Sequence, residues 1–413
     1  MRILIPDVQN RNVLSVLRSL GPKGYEFTLA IPLPEKKNSK TFRLSISRYV
    51  SNLYFVQSPN NNEDEFVRDV VNIARKQRHD ILFTFTDGTT LALARHREEL
   101  KELVRPGFSE LSSVETAHDK TRMNRLAMSV NVPTPKTFYP ETENQISKLN
   151  GINFPVVIKA REGSGVEHGV RYALDKDELL RHYKELQDSK PALNYFDTRA
   201  PFIQEYIPGE HHDYVCVCNN GEVIADLTQK RLVTYPVSGG VMASSITTDY
   251  PVLKDYGRRL IKALSIHGVA EADFKYDPRK KDFVFLEVNP RPLGGLGLSV
   301  KAGINFIEIA AKMIMGEPLP TDFSYRKGVK YRWIFPEELF TVISANSLKM
   351  WCRFFNFFEP DVYYDISLKD WKSDLYRVSA VFKQIILRQA RITNPFPHYK
   401  HIEELALKLR QNV

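Results

Sequence analysis

The first 115 residues alternate between short apolar runs and stretches whose apolar residues have helical spacing. Predicted strands cover Arg2–Pro6, Tyr25–Ile31 and Ile81–Thr86, and predicted helices cover Asn10–Leu20 and Glu65–Lys76. This alternation is typical of a doubly wound parallel sheet. No G-x-G-x-x-G follows a strand, so the pattern does not indicate a dinucleotide site.

The hydrophobic pattern changes after Pro133 and Pro135, which follow a predicted helix over Thr121–Val130. Short helices now mix with hairpin-like strands up to about Leu319, and this mixture predicts an α+β unit. The predicted strands are Phe154–Ala160, His168–Ala173, Phe202–Tyr206, Tyr214–Cys218 and Val223–Leu227. With the helix over Thr121–Val130 counted in this second unit, we predict three segments, covering residues 1–115, 116–320 and 321–413.

The third segment is aromatic and basic. It contains the run from Trp351 to Phe358 and a predicted helix with one apolar face. That face carries Trp371, Leu375, Val378, Phe382 and Ile385. Apolar stripes usually pack into a core, so we expect this segment to pack against residues 116–320. The alternative is a docking surface for a membrane-bound or polymer-bound acceptor, assisted by the basic charge.

Composition restricts the class of protein further. Among 413 residues, 43% are hydrophobic and 26% are charged, as in ordinary globular proteins. The sequence has three cysteines and no signal-like N-terminus, which favours a reducing compartment. No apolar run has the roughly 20 residues of a membrane span. We therefore expect a cytoplasmic protein. The net charge of +9 fits nucleic acid or anionic small molecules; without a nucleic-acid motif, we do not expect nucleic-acid binding.

Two consecutive stretches suit a polyphosphate. Lys159 ends the apolar strand Pro155–Ala160, and burying its ammonium without a partner would be costly. The loop that follows contains Gly163, Ser164 and Gly165, and its backbone N–H groups can close over phosphates. A surface lysine and an ordinary loop are the alternative interpretation.

A third stretch, Phe202–Glu210, runs from a strand into a Pro-Gly turn. Its free backbone groups suit the edge of a base such as adenine, although a plain strand and turn would have the same sequence pattern.

The most specific stretch is a pair of predicted antiparallel strands, Ala270–Asp277 and Phe283–Arg291. Side chains alternate along a strand, so Glu287, Asn289 and Arg291 share one face, and Asp273 on the neighbouring strand can face them. Carboxylate and amide oxygens are ligands for Mg²⁺, and an arginine beside them can hold a phosphate. A solvated sheet face is the alternative.

The order of these stretches resembles the ATP-grasp superfamily, and within it the branch similar to one half of the carbamoyl phosphate synthase large subunit. The strongest matching residues run from Phe285 through Glu287, Asn289 and Arg291 to Met313. The resemblance covers about residues 1–320. It implies a pre-ATP-grasp domain with a doubly wound parallel sheet, then a two-lobed ATP-grasp domain, with residues 321–413 as a C-terminal extension.

The resemblance also implies an activity. Such an enzyme joins a small-molecule carboxylate to an amine, or less often a thiol, through an acyl phosphate, and releases ADP and phosphate. One alternative is phosphorylation of bicarbonate or carbamate, as in carbamoyl phosphate synthase or biotin carboxylase. The other is an ATP-binding regulatory protein that has lost catalysis. Homodimers are common among such relatives.

Site roles follow from the same resemblance. Lys120 and Lys159 would contact the ATP phosphates beneath the loop that contains Gly163, Ser164 and Gly165. Two Mg²⁺ ions, or Mn²⁺ in their place, would be held by Asp273, Glu287 and Asn289. Arg291 would stabilise the transferring phosphoryl group. The adenine would lie against Glu205, Tyr206 and Ile207.

Some positions depart from the family pattern. The acidic residue that holds the ribose is displaced, which leaves Glu210 and Asp213 as candidates. Arg231 would lie near the γ-phosphate or the substrate carboxylate. Lys230, next to Arg231, has two interpretations: it is either part of the site or a solvated residue of the strand. Glycine-rich stretches at Ser238–Gly240 and Gly294–Gly295 would line the acyl pocket.

Overall fold

The structure is a computed structural model that describes residues 1–7, 11–33, 47–162, 169–189, 197–235, 240–292, 294–345 and 347–386. The strands are β1 (Arg2–Ile5), β2 (Glu26–Pro32), β3 (Val50–Val56), β4 (Ile81–Leu82), β5 (Arg105–Pro106), β6 (Thr137–Phe138), β7 (Val156–Lys159), β8 (Val170–Ala173), β9 (Phe202–Glu205), β10 (His211–Asn219), β11 (Glu222–Tyr235), β12 (Val241–Thr248), β13 (Gly268–Asp277), β14 (Asp282–Asn289), β15 (Lys330–Arg332) and β16 (Val362–Tyr364).

The α-helices are α1 (Arg11–Leu20), α2 (Glu63–Lys76), α3 (Asp87–Arg95), α4 (Arg97–Lys101), α5 (Leu111–His118), α6 (Lys120–Ser129), α7 (Glu143–Ser147), α8 (Lys176–Gln187), α9 (Pro251–Leu264), α10 (Leu296–Ala302), α11 (Phe306–Met315), α12 (Leu339–Ala345), α13 (Leu348–Phe355) and α14 (Trp371–Ile386). Within the ranges that the structure describes, no helix is both long and apolar enough to cross a membrane.

The N-terminal segment forms the predicted parallel sheet, in the order β3-β2-β1-β4-β5. The strand predicted over Ile81–Thr86 is shorter in the structure, where it forms β4 (Ile81–Leu82). The reason is that the Asp7 carboxylate accepts the Phe85 N–H at 2.6 Å, in place of a carbonyl of a neighbouring strand. Asp7 and Asp87 therefore follow neighbouring strands at the carboxyl edge of the sheet, where ligands of open parallel sheets usually lie.

A small four-stranded sheet follows, in the order β6-β9-β7-β8, with antiparallel pairing throughout. Ile158 and Ile203 pack against Leu179 and Tyr183 of α8 to form its core. A Cβ added at Gly209 would lie 1.5 Å from the Tyr276 carbonyl oxygen. A side chain is therefore excluded where the chain leaves this sheet, and the turn lies directly on β13.

The largest sheet has seven strands in the order β14-β13-β10-β11-β12-β15-β16. The predicted antiparallel pairing of β13 with β14 is present. The last two strands come from the segment beyond residue 320, so this segment extends the sheet that carries the predicted metal ligands.

The C-terminal segment only partly forms the expected core. Phe354 and Val381 are buried with Ile334 and Val342. In contrast, Trp371, Leu375 and Phe382 of α14 are 54%, 59% and 49% exposed. The prediction that this helical face packs as core is wrong for these three residues, because α14 turns them away from the buried cluster and toward solvent.

Candidate functional site

One face of the seven-stranded sheet concentrates acidic side chains. Asp213 lies opposite Asp273, which lies opposite Glu287 on the next strand. Glu271 lies opposite Asn289 in the same way. Directly opposed residues of antiparallel strands have side chains on the same face, so β10, β13 and β14 together present four carboxylates and an amide.

Three of these carboxylates meet closely. One oxygen from each of Asp213, Glu271 and Asp273 lies within 4.8 Å of the other two. The Arg231 guanidinium lies among them, with Nη2 2.6 Å from Asp213 Oδ1, 2.7 Å from Asp273 Oδ2 and 3.7 Å from Glu271 Oε1. The structure thus places Arg231 inside the acidic cluster, where its charge offsets part of the carboxylate repulsion.

The electrostatics of this cluster suit a cation. Burial raises the pKa of Asp273 to about 7, with Asp213 and Glu287 adding to the rise and Arg231 opposing it. Burial and neighbouring carboxylates also raise the pKa of Glu271. Asp273 Oδ1 is buried and accepts no hydrogen bond from any residue in the described ranges. Clustered carboxylates with a buried unsatisfied oxygen fit a divalent oxygen-seeking ion such as Mg²⁺.

Two lysines lie near this face, Lys159 at the end of β7 and Lys120 at the start of α6. Burial lowers the pKa of Lys159 to about 8; Lys120 lowers it further, whereas Glu287 and Asp273 raise it. Lys159 ends β7 as predicted. The Lys120 N–H donates to the Arg161 carbonyl at 3.0 Å, so the start of α6 is attached to the loop that follows β7. Both lysines therefore belong to the same charged region as Asp273 and Glu287.

Arg291 joins the N-terminal sheet to this face. Its Nε and Nη2 lie 2.5 and 2.9 Å from the two Asp87 oxygens, and Nη2 also donates to Asn289 Oδ1 at 3.3 Å. Although burial alone would lower the pKa of Arg291, the Asp87 carboxylate raises it. The guanidinium therefore stays charged beside the acidic cluster.

The predicted adenine-binding stretch lies at the junction of the four-stranded and seven-stranded sheets. The Lys275 ammonium donates to the Ile207 carbonyl at 2.7 Å and lies 5.1 Å from the centre of the Tyr206 ring. The Glu205 carboxylate pairs with Arg279 at 2.8 Å. These contacts engage the Glu205 side chain and the Ile207 carbonyl, so recognition of a base here would depend on the other backbone groups of this stretch.

The two candidate ribose ligands differ in surroundings. Asp213 is fully buried, bound by Arg231, and accepts a hydrogen bond from Gln229 Nε2 at 2.7 Å. The Glu210 side chain is 50% exposed and pairs with Lys230 at 2.6 Å. Lys230 thus forms an ion pair at the lobe junction, and Glu210 remains the more accessible of the two carboxylates.

Several predicted positions lie outside the described residues. They include the phosphate-loop residues Gly163, Ser164 and Gly165, and Ser238 and Gly239 of the predicted acyl pocket. The other predicted pocket glycines, Gly240, Gly294 and Gly295, lie within the described residues. A Cβ added to Gly294 would lie 2.3 Å from Arg11 Nη2.

Three residues of the site were missed in the sequence. Glu271 could have been found, because it precedes Asp273 by two positions and so shares its face. Asp87 directly follows a predicted strand, at the edge where ligands of parallel sheets gather. Arg11 carries no comparable signal, since it is one of several polar residues at the start of an amphipathic helix.

Comparison with known proteins gives the fold. Residues 198–335 match a family described as ATP-grasp in the biosynthetic pathway with Ter operon. The chain is similar to biotin carboxylase from Campylobacter jejuni (TM-score 0.65, 18% identity, covering 80% of this chain and 74% of that one). It is also similar to the biotin carboxylase domain of 2-oxoglutarate carboxylase from Hydrogenobacter thermophilus (TM-score 0.62, 17% identity, covering 80% of this chain and 73% of that one). A third similar structure is L-amino acid ligase from Bacillus licheniformis (TM-score 0.59, 15% identity, covering 80% of this chain and 78% of that one).

These similarities and the three sheets agree on one architecture. The chain has the ATP-grasp fold preceded by a parallel pre-ATP-grasp sheet, and the predicted superfamily resemblance and fold class are confirmed.

Proposed function

We propose that this chain is an ATP-dependent ligase that activates a carboxylate as an acyl phosphate and transfers the acyl group to an amine. The observation that carries the proposal is the convergence of Lys159, the Asp273–Glu287 pair and Arg291 on one face of a sheet. Phosphoryl transfer needs a cation beside the phosphates, oxygen ligands for a metal ion and a second cation beside the transferring phosphoryl group.

The nucleotide would lie between the two ATP-grasp sheets. Backbone groups of Glu205 and Ile207 would bind the adenine edge beside Tyr206, and Glu210 or Asp213 would hold the ribose. Lys120 and Lys159 would neutralise the phosphates. The contact between Lys275 and the Ile207 carbonyl holds the predicted adenine-binding stretch in place. This restraint lowers the conformational entropy that is lost when the base binds.

The donor set also fits the metal that the family uses. Asp273, Glu287 and Asn289 would hold Mg²⁺, with Asp213 and Glu271 at the side of the same cluster. When bound, Mg²⁺ neutralises charge on the triphosphate and the transferring phosphoryl group.

Arg291 is the residue best placed for the chemical step. The substrate carboxylate oxygen attacks the γ-phosphorus in line, the bond to the β–γ bridging oxygen breaks, and ADP leaves. Arg291 would stabilise the charge on the phosphoryl group and then on the acyl phosphate, in an orientation fixed by Asp87. An amine then attacks the acyl carbon, loses a proton and expels phosphate.

Trapping with hydroxylamine tests the proposal. The protein is incubated with Mg-ATP, hydroxylamine and a panel of amino acids and other carboxylic acids, and ADP and acyl hydroxamate are both measured. We expect hydroxamate that depends on one acid, is lost in Glu287→Gln and persists in Glu317→Gln. Glu317 is a suitable control because it is exposed and lies beyond α11.

Other outcomes would contradict the proposal in distinct ways. ADP release that depends on bicarbonate, without hydroxamate, would indicate bicarbonate phosphorylation. Tight ATP binding with neither product for any acid would indicate an ATP-binding protein without catalysis.

A further inference from the structure

The polar face of the seven-stranded sheet continues beyond the acidic cluster into the C-terminal segment. Arg231 on β11 lies opposite Ser245 on β12, which lies opposite Tyr331 on β15. The ring of Trp333 follows, 4.8 Å from that of Tyr331. Opposed residues share a face, so Ser245 and Tyr331 extend the surface that carries the predicted metal ligands.

Arg11 reaches this surface from the N-terminal domain. It lies at the start of α1 and donates to the Met242 carbonyl, with its guanidinium carbon 4.9 Å from the centre of the Trp333 ring. Its Nη1 is 3.5 Å from Glu337 Oε1. Gly294 lies so close that any side chain there would collide with the Arg11 guanidinium. Three distant parts of the sequence therefore meet at Arg11.

Several buried polar atoms at this meeting point lack partners. Ser245 Oγ, Trp333 Nε1 and Glu337 Oε2 are buried and form no hydrogen bond with the part of the chain that the structure describes. Ser245 and Trp333 are both fully buried. A buried unsatisfied polar group is costly, and native structures usually satisfy such groups with water or a ligand. A bound water or ligand would supply the partner that each of these three atoms lacks in the described chain.

Arg11 and Glu337 mark the two ends of this meeting point, and the charged residues near Arg11 differ in part from those near Glu337. The charges that act on Arg11 are Glu337 and Asp365 of the C-terminal segment and, more weakly, Arg231 and Glu271 of the acidic cluster. Those that act on Glu337 are Arg11 and two residues of the C-terminal segment, Asp365 and Arg377. Arg11 therefore lies between the acidic cluster of the predicted metal site and Glu337.

We propose that Arg11, Ser245, Trp333 and Glu337 form the pocket for the carboxylate substrate, and that this substrate is an α-amino acid. Arg11 would bind the carboxylate together with Arg231, and Glu337 would bind the ammonium group. This inference rests on the proposed function, because the carboxylate end must lie near the γ-phosphate. It also assigns a role to the C-terminal segment, which supplies Trp333 and Glu337 to the pocket.

Paired ligands test the inference directly. Thermal unfolding of the full chain with Mg-ADP is measured with amino acids and with the same acids lacking the amino group, such as alanine with propionate and phenylalanine with 3-phenylpropionate. Wild-type protein should bind at least one amino acid about tenfold or more tightly than its partner, the value of one hydrogen bond to a charged group.

Variants separate the two ends of the pocket. In Glu337→Gln the preference for the amino acid should fall to near parity, while affinity for the plain acid stays unchanged. In Arg11→Gln both ligands should bind more weakly, and Glu317→Gln should match wild type. Trp333→Phe keeps an aromatic side chain, although a smaller one, and removes the N–H. It provides a milder second test if Glu337→Gln fails to fold, and ADP-induced stabilisation reports folding in each variant.

The results that overturn the inference differ from those that overturn the proposed function. Equal binding of both members of every pair, an unchanged preference in Glu337→Gln, or no stabilisation by any amino acid would each exclude this pocket. Hydroxamate formation with plain carboxylic acids would then still support the ligase. Conversely, amino-acid binding without hydroxamate would support the pocket and contradict the ligase.

Discussion

Arg291 and Asp87 form a two-point ion pair across two domains, with Nε–Oδ1 and Nη2–Oδ2 distances of 2.5 and 2.9 Å. Their side chains are 16% and 10% exposed. One residue follows the last strand of the ATP-grasp pair β13–β14, and the other follows a strand of the parallel sheet. The pair therefore connects the proposed catalytic arginine to the N-terminal domain.

Removing this anion should affect both stability and turnover. Asp87→Asn keeps the shape of the side chain but leaves the Arg291 guanidinium without its counter-charge. We expect the free energy of unfolding to fall by about 1.5–3 kcal/mol, the range for hydrogen bonds to charged groups, and turnover to fall more than ATP affinity. Urea unfolding and ligase kinetics measure the two effects.

Asp255→Asn is the control for this prediction. Asp255 forms an exposed pair with Arg259 one helical turn away, and such pairs contribute only about 0.3–0.5 kcal/mol. If both variants lost the same small amount of stability and Asp87→Asn kept full turnover, Asp87 would have no role in positioning Arg291.

ATP affinity should depend on the protonation of Lys159. Its pKa of about 8 lies below the ordinary 10.5 because of burial, so its charge is lost as pH rises through 8. Triphosphate binding favours the charged form, so the dissociation constant for ATP should increase with pH, by about tenfold per pH unit above the pKa. Calorimetric titration with Mg-ATP from about pH 7 to 9.5 measures this slope.

Lys159→Arg provides the comparison, because an arginine stays charged throughout this range. Its dissociation constant for ATP should change little with pH. Parallel slopes in the variant and the wild type would mean that a group other than Lys159 controls the dependence.

Arg231 should compete with a metal for the acidic cluster. Arg231→Gln leaves Asp213, Glu271 and Asp273 buried without their common cation. Without metal we expect a loss of about 3–5 kcal/mol, the usual result of removing one partner of a buried ion pair. Mg²⁺ should restore part of this loss, so it should raise the melting temperature of the variant more than that of wild type.

Thermal unfolding with Mg²⁺ and with EDTA measures this difference. Arg258→Gln is the matched control, since Arg258 is 57% exposed and pairs with Asp226 at a distance from the cluster. An equal Mg²⁺ effect in all three proteins would show that Arg231 does not compete with the metal for these carboxylates.

The C-terminal segment should contain both essential and dispensable apolar residues. Phe354 is 7% exposed, and Phe354→Ala should cost about 3–5 kcal/mol, as for other core aromatics. Leu375 is 59% exposed, and Leu375→Ala should change stability by no more than about 0.5 kcal/mol. Chemical unfolding of both variants tests this, and a large loss in Leu375→Ala would show that α14 packs more deeply than described.

The amino-acid sequence alone was sufficient for the elements whose pattern is local. Alternation along β13 and β14 placed Glu287 and Asn289 on one face, and the antiparallel pair brought Asp273 opposite Glu287, as observed. The Lys159 strand was predicted from its apolar residues. Such patterns are readable because a strand or helix orients side chains that are close in the chain.

Other features depend on which distant elements pack together. Arg11 and Glu337 are separated by most of the sequence, yet they meet because the start of α1 reaches β12, and the turn that follows β15 packs beside the same strand. The exposure of Trp371 and Phe382 also could not be predicted, because an apolar helical face records only the possibility of burial. Whether another element covers that face is set by tertiary packing, which local periodicity does not encode.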